Sequence, residues 1–164
     1  TGHRRENFGK GFQNICISIK KIANKFPEFK IIYPVHLNPN VKRPVEEILS
    51  GVNNVYLIKP MDYIYFVKLI DISYLILTDS GGIQEEAPSL NKPVLVLREK
   101  TERPEAINSG TAIIVGTKIK NIVKETIKLI ENRNEYKKMV STKNPYGDGK
   151  ASIKIAKILE KNIL

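Results

Sequence analysis

Short apolar runs recur along this chain with helical periodicities between them, and that alternation constrains the fold more than any other feature. Lys30-Ile31-Ile32-Tyr33 is a β-branched and aromatic run stopped by Pro34, and Val55-Tyr56-Leu57-Ile58 repeats the pattern before Pro60. Tyr74-Leu75-Ile76-Leu77, Val94-Leu95-Val96-Leu97 and Ala112-Ile113-Ile114-Val115 are apolar throughout, as strands covered on both faces must be. Between Lys10 and Lys25, Phe12, Ile15, Ile19, Ile22 and Ala23 recur at helical spacing before Pro27 closes the segment. Pro44 to Leu49 reads as a helix opened by proline, and Asp62 can cap another through about Ile70. Ile83 to Leu90 is helix-like, Ile119 to Glu131 carries Ile122, Val123, Ile127 and Ile130 on one face, and Ala151 to Leu159 makes a closing helix. Strands and helices in alternation build βαβ units, so the expected fold is α/β, a Rossmann-like parallel sheet with helices on both faces.

With 164 residues, 41% of them hydrophobic, the chain has the size of one domain with a substantial core. No secretory signal and no run of membrane-spanning length occurs, which makes a cytoplasmic protein the simplest reading. The one cysteine, Cys16, lies among Ile15, Ile17 and Ile19; it reads as core filling and leaves no disulfide framework. A net charge of +10 invites a nucleic-acid partner, but the lysines are spread over helix surfaces without a basic block or interleaved aromatics. The positive balance suits a small anionic ligand instead. Thr1-Gly2-His3 looks like the turn after a strand, so a strand is expected before Thr1 and the chain reads as part of a larger protein.

The most informative segment is Asp79-Ser80-Gly81-Gly82-Ile83-Gln84-Glu85-Glu86, where a buried strand turns into a helix. Glycines let backbone approach a ligand, and free N–H groups in a first helical turn favour phosphate. Ser80 adds a hydroxyl, and Glu86, one turn on, can accept bonds from two ribose hydroxyls. A tight βα turn would look the same at Ser80-Gly81-Gly82 alone; the conjunction with the acidic pair favours a ligand. The Walker pattern is excluded, since no lysine follows the second glycine. After the strand ending at Leu97, Arg98 and Arg103 fall on the ligand crevice of a parallel sheet, and the guanidinium of Arg103 suits a diphosphate. His3 and His36 both follow inferred strands and share that edge. One histidine per loop with no cysteine nearby gives a metal site little support.

Gly2-His3-Arg4-Arg5-Glu6-Asn7, Tyr33 to Pro39, Asp79 to Pro88, Lys92 to Arg98, Thr101 to Ala106 and Asn144 to Gly149 together resemble the non-hydrolysing UDP-N-acetylglucosamine 2-epimerases, two-domain proteins of GT-B-like architecture. The resemblance spans nearly the whole chain. It implies that residues 1–164 are the UDP-binding C-terminal half, with the N-terminal domain absent and no metal or organic cofactor. It places Ser80, Gly81 and Gly82 on the phosphates, Glu86 on the ribose, and His3 and Arg103 near the diphosphate and sugar as the catalytic candidates. Arg4 and His36 match positions that, in bacterial members, touch a second UDP-N-acetylglucosamine bound as an allosteric activator. The implied reaction inverts C2 by eliminating UDP and adding it back, in service of cell-surface polysaccharide synthesis, with the carboxylate bases supplied by the N-terminal domain. This chain alone is therefore expected to be inactive. A GT-B glycosyltransferase would use a similar phosphate turn, and a non-catalytic nucleotide-sugar sensor is the third reading. His3-Arg4-Arg5-Glu6-Asn7 and Thr101-Glu102-Arg103-Pro104-Glu105 favour the epimerase. Homodimer formation stays open.

Overall fold

The computed structural model describes residues 1–163. Five parallel strands alternate with helices. β1 (Ile31–Pro34) pairs with β2 (Val55–Ile58), and β3 (Ile76–Thr78), β4 (Val94–Val96) and β5 (Ala112–Ile114) form a second sheet in that order. The helices are α1 (Lys10–Lys25), α2 (Pro39–Leu49), α3 (Tyr63–Ile72), α4 (Gly81–Glu86), α5 (Pro104–Ser109), α6 (Ile119–Glu131), α7 (Arg133–Val140) and α8 (Ala151–Ile163). Short 3-10 turns at Arg5–Asn7 and Ala87–Leu90 complete the chain.

The period-two alternation of β4 divides the interior. Leu95 joins Phe12, Ile15, Val41, Val45, Leu49, Ile122 and Leu129 in a core beneath α1, α2 and α6. Val94 and Val96 point the other way, onto Ile70, Ile83, Ala87 and Ala106 from α3, α4, the turn after it and α5. A strand dry on both faces needs the unbroken apolar run that Val94 to Leu97 supplies. Each fully buried Leu, Ile or Phe contributes about 1.5–3 kcal/mol. Cys16 is buried in the larger core, where desolvation pushes its thiol up to about 12.

Three elements depart from the sequence reading. α2 begins at Pro39 rather than Pro44, because Asn38 Oδ1 accepts the Asn40 N–H at 2.9 Å and Pro39 takes the first turn. Pro44 sits inside the helix, held there by the buried stripe Val41, Val45 and Leu49. α7 has a polar sequence with no apolar period; its start is fixed by Asn132 Oδ1, which accepts from Asn134 and Glu135 N–H. α8 forms, but Ile153, Ile155, Ile158 and Leu159 are exposed, so it closes no part of the core. Among the described residues no helix is long and apolar enough to cross a membrane.

Between the two sheets lies an apolar groove of about 450 Å³, walled by Ile31 and Tyr33 on one side and by Leu75 and Leu77 on the other, with Ile19, Ile22 and Ile130 contributing. At one end of it the Thr1 amine donates to the Leu77 carbonyl at 2.7 Å, and the hydroxyls of Thr1 and Thr78 lie 2.8 Å apart.

Candidate functional site

β3 ends at Thr78 and Asp79 follows it, both buried, and the chain turns through Ser80 in extended backbone (φ −82°, ψ 132°) into α4. Ser80 occupies the N-cap position without a side-chain bond to the helix. Its N–H donates to Thr78 Oγ1 at 3.0 Å, which sets the turn. The two glycines serve different ends. A Cβ on Gly82 would meet nothing closer than Glu86 Oε1 at 3.8 Å, leaving open space beside the backbone. A Cβ on Gly81 would fall 2.8 Å from Glu102 Oε1, with the guanidinium nitrogens of Arg4 and Arg103 at 3.6 and 3.7 Å. Gln84 is fully buried; it donates to the Ser80 carbonyl at 3.1 Å and accepts from Thr101 Oγ1 at 2.7 Å, tying α4 to the loop after β4.

The Gly2–Asn7 loop is docked on the end of β3. The Asp79 carboxylate accepts the His3 N–H at 3.0 and 3.1 Å, the Arg4 N–H at 2.9 Å and Asn7 Nδ2 at 3.1 Å. Arg4 Nε returns to the Asp79 carbonyl at 3.2 Å. His3 stacks on His36 with ring centroids 5.3 Å apart and an interplanar angle of 13°. Burial lowers the His3 pKa below its usual 6.5; the Asp79 charge opposes this, and His36, Arg4 and the Thr1 amine reinforce it. His36 Nδ1 accepts the Asn38 N–H at 3.1 Å, which orients that ring.

These parts surround a pocket of about 310 Å³ at the carboxyl ends of β1, β2 and β3. Of the residues expected from sequence, His3, His36, Ser80, Gly82 and Glu86 line it together. Gly81 is buried beneath, and Arg4 and Arg103 lie beside the pocket, not on its wall. Both arginines belong to an ion network: Arg4 pairs with Glu102 at 3.0 Å, Arg98 bridges Glu102 and Glu6, and Arg103 pairs with Glu85. Each would have to exchange or share its carboxylate partner to meet a ligand anion.

Sequence reasoning missed Pro60, Met61, Tyr63 and Phe66, which line the same pocket. Pro60 and Met61 follow β2, so the rule that ligands sit beyond the carboxyl ends of parallel strands could have found them. Tyr63 faces Glu86, whose charge raises the phenol pKa. Asp79 was read as part of a motif but given no role; its full burial is visible only in three dimensions. Among the described residues no cluster of three His, Cys, Asp or Glu could hold a metal ion.

Residues 1–160 match the family described as UDP-N-acetylglucosamine 2-epimerase. The chain is 57% identical over 160 residues to the UDP-N-acetylglucosamine 2-epimerase of Yersinia pestis, covering 98% of this chain and 43% of that protein. It is 56% identical to the enzyme of the same name from Campylobacter jejuni, covering 98% and 42%. The crystal structure of the Neisseria meningitidis UDP-GlcNAc 2-epimerase bound to UDP-GlcNAc superposes with a TM-score of 0.93 at 53% identity, covering 98% and 43%. The Methanocaldococcus jannaschii enzyme in complex with UDP-GlcNAc and UDP does so with a TM-score of 0.79 at 34% identity, covering 98% and 44%. The chain thus spans less than half the length of the relatives it matches.

Proposed function

From the premise that this chain belongs to the UDP-N-acetylglucosamine 2-epimerase family, we propose that it is the nucleotide-holding C-terminal half of an enzyme interconverting UDP-N-acetylglucosamine and UDP-N-acetylmannosamine. The observation that carries the reading is the convergence of His3, Ser80, Gly82 and Glu86 on one pocket at the carboxyl edge of the sheet. Phosphates sit over Gly82, where backbone is bare and the first turn of α4 offers N–H groups. Ser80 donates its hydroxyl, and Glu86 accepts from the ribose. Pro60, Met61 and Phe66 give a planar base an apolar wall.

In the proposed reaction a base removes the C2 proton, the C1–O bond breaks with its electron pair leaving on UDP, and UDP adds back after the proton returns on the other face. Departure of UDP needs cationic and N–H stabilisation of its growing charge, which is what His3, Arg103 and the Ser80–Gly82 turn offer. Proton removal from carbon needs a positioned carboxylate. Glu85 and Glu102 are tied to arginines and Glu86 is assigned to the ribose; the family resemblance assigns the base to the N-terminal domain. Arg4 and the His36 ring stacked on His3 are the proposed contacts to a second, activating nucleotide sugar. Calorimetric titration with UDP tests the site. Binding to the chain should weaken by roughly 1–3 kcal/mol in Glu86→Ala, through lost charge-assisted bonds. Equal affinity in the two proteins would remove the ribose assignment.

A further inference from the structure

Asp79 is fully buried at the heart of the site, yet the phosphate reading gives it nothing to do. Its carboxylate collects the His3, Arg4 and Asn7 N–H groups within 3.1 Å, so one side chain fastens the whole Gly2–Asn7 loop to the end of β3. Asn7, buried as well, extends the clamp to β4 by donating to the Leu97 carbonyl at 3.1 Å. No lysine or arginine pairs with this carboxylate among the described residues; the cationisable side chain nearest it is the His3 imidazole, with Nδ1 3.8 Å away. A buried carboxylate satisfied by neutral donors keeps its charge largely unscreened, and a histidine at that distance feels it strongly.

We propose that Asp79 is a positioning residue for His3: it holds the loop so that the imidazole stays on the pocket wall, and its charge favours the protonated ring beside the leaving diphosphate. The inference rests on the reading that UDP occupies this pocket. Burial, His36, Arg4 and the Thr1 amine all disfavour the imidazolium, and Asp79 is the group that opposes them. Loss of a merely structural staple would expose the ring and move the His3 titration up, whereas loss of the Asp79 charge moves it down.

The test follows UDP affinity against pH for the chain, Asp79→Asn, His3→Gln and the double variant. Wild-type affinity is expected to fall as pH rises through the His3 titration, by roughly tenfold, the worth of one charge-assisted hydrogen bond. In Asp79→Asn the fall should move to lower pH, and in the His3→Gln background the same substitution should leave the profile, which then follows the phosphate of UDP itself, where it was. An unmoved profile in Asp79→Asn, or an equal displacement with and without His3, would overturn the proposal. A second readout needs no ligand: the Asp79 carboxyl carbon, followed by NMR, should show an inflection where His3 titrates, and His3→Gln should remove it. Its absence from the wild-type chain overturns the coupling whether or not UDP binds, whereas failure of UDP to bind with the inflection present strikes only the ligand reading.

Discussion

At the scale of single residues the site is built from positions whose neighbours decide their work. Gly81 and Gly82 look equivalent in sequence, but one lies under Glu102 and the other beside open space. Gly81→Ala should cost a modest amount of stability, since its Cβ would push Glu102 Oε1, the tip of a half-exposed side chain, out of its pairing with Arg4. Gly82→Leu should leave stability nearly unchanged and abolish UDP binding by filling the phosphate position. Thermal melts beside UDP titrations separate these, and a reversed pattern would contradict the assignment. Burial lowers the His3 pKa below its usual 6.5. Just below that value the unfolded chain binds more protons than the folded one, so this ring makes stability rise with pH there. Melting temperatures followed across that range check the sign, and His3→Gln should flatten the slope. Asp79 shows why such roles stay hidden: an aspartate before Ser-Gly-Gly looks like turn chemistry until the loop it clamps, more than seventy residues distant in sequence, is seen docked upon it.

At the scale of elements the short apolar runs were enough to find the five described strands, and the clearest is β4, which is buried on both faces. The helices with buried stripes were legible for the same reason. α7 was not, since its start depends on the Asn132 cap and its sequence is polar. The start of α2 was misplaced because a proline can open a helix or sit within one, and only the Asn38 cap distinguishes the cases. The groove between β1 and β3 has no signature in the sequence pattern. Its walls are apolar and Thr1 already bonds to Leu77. An apolar β-branched segment fused ahead of Thr1 should therefore enter the groove in parallel with β1 and β3 and raise the melting temperature. A polar segment of equal length should not, and equal melting temperatures for the two fusions would show that the groove does not select a strand.

At the scale of the whole molecule the proposed function has this chain gather the groups that steady a departing diphosphate, while Glu85 and Glu102 are held by arginines. A base is worth typically about 10²–10⁴-fold in such a proton transfer, and the orientation provided by a second domain is needed as well. Under the same proposal the net charge of +10 would favour approach of an anionic nucleotide sugar. The most direct measurement is to incubate UDP-N-acetylglucosamine with this chain in deuterium oxide and follow the ligand by proton NMR. Uracil and ribose signals should broaden on binding, with less broadening in Glu86→Ala, while the C2 proton of the sugar persists. Unbroadened nucleotide signals, or loss of the C2 proton through exchange, would contradict the account.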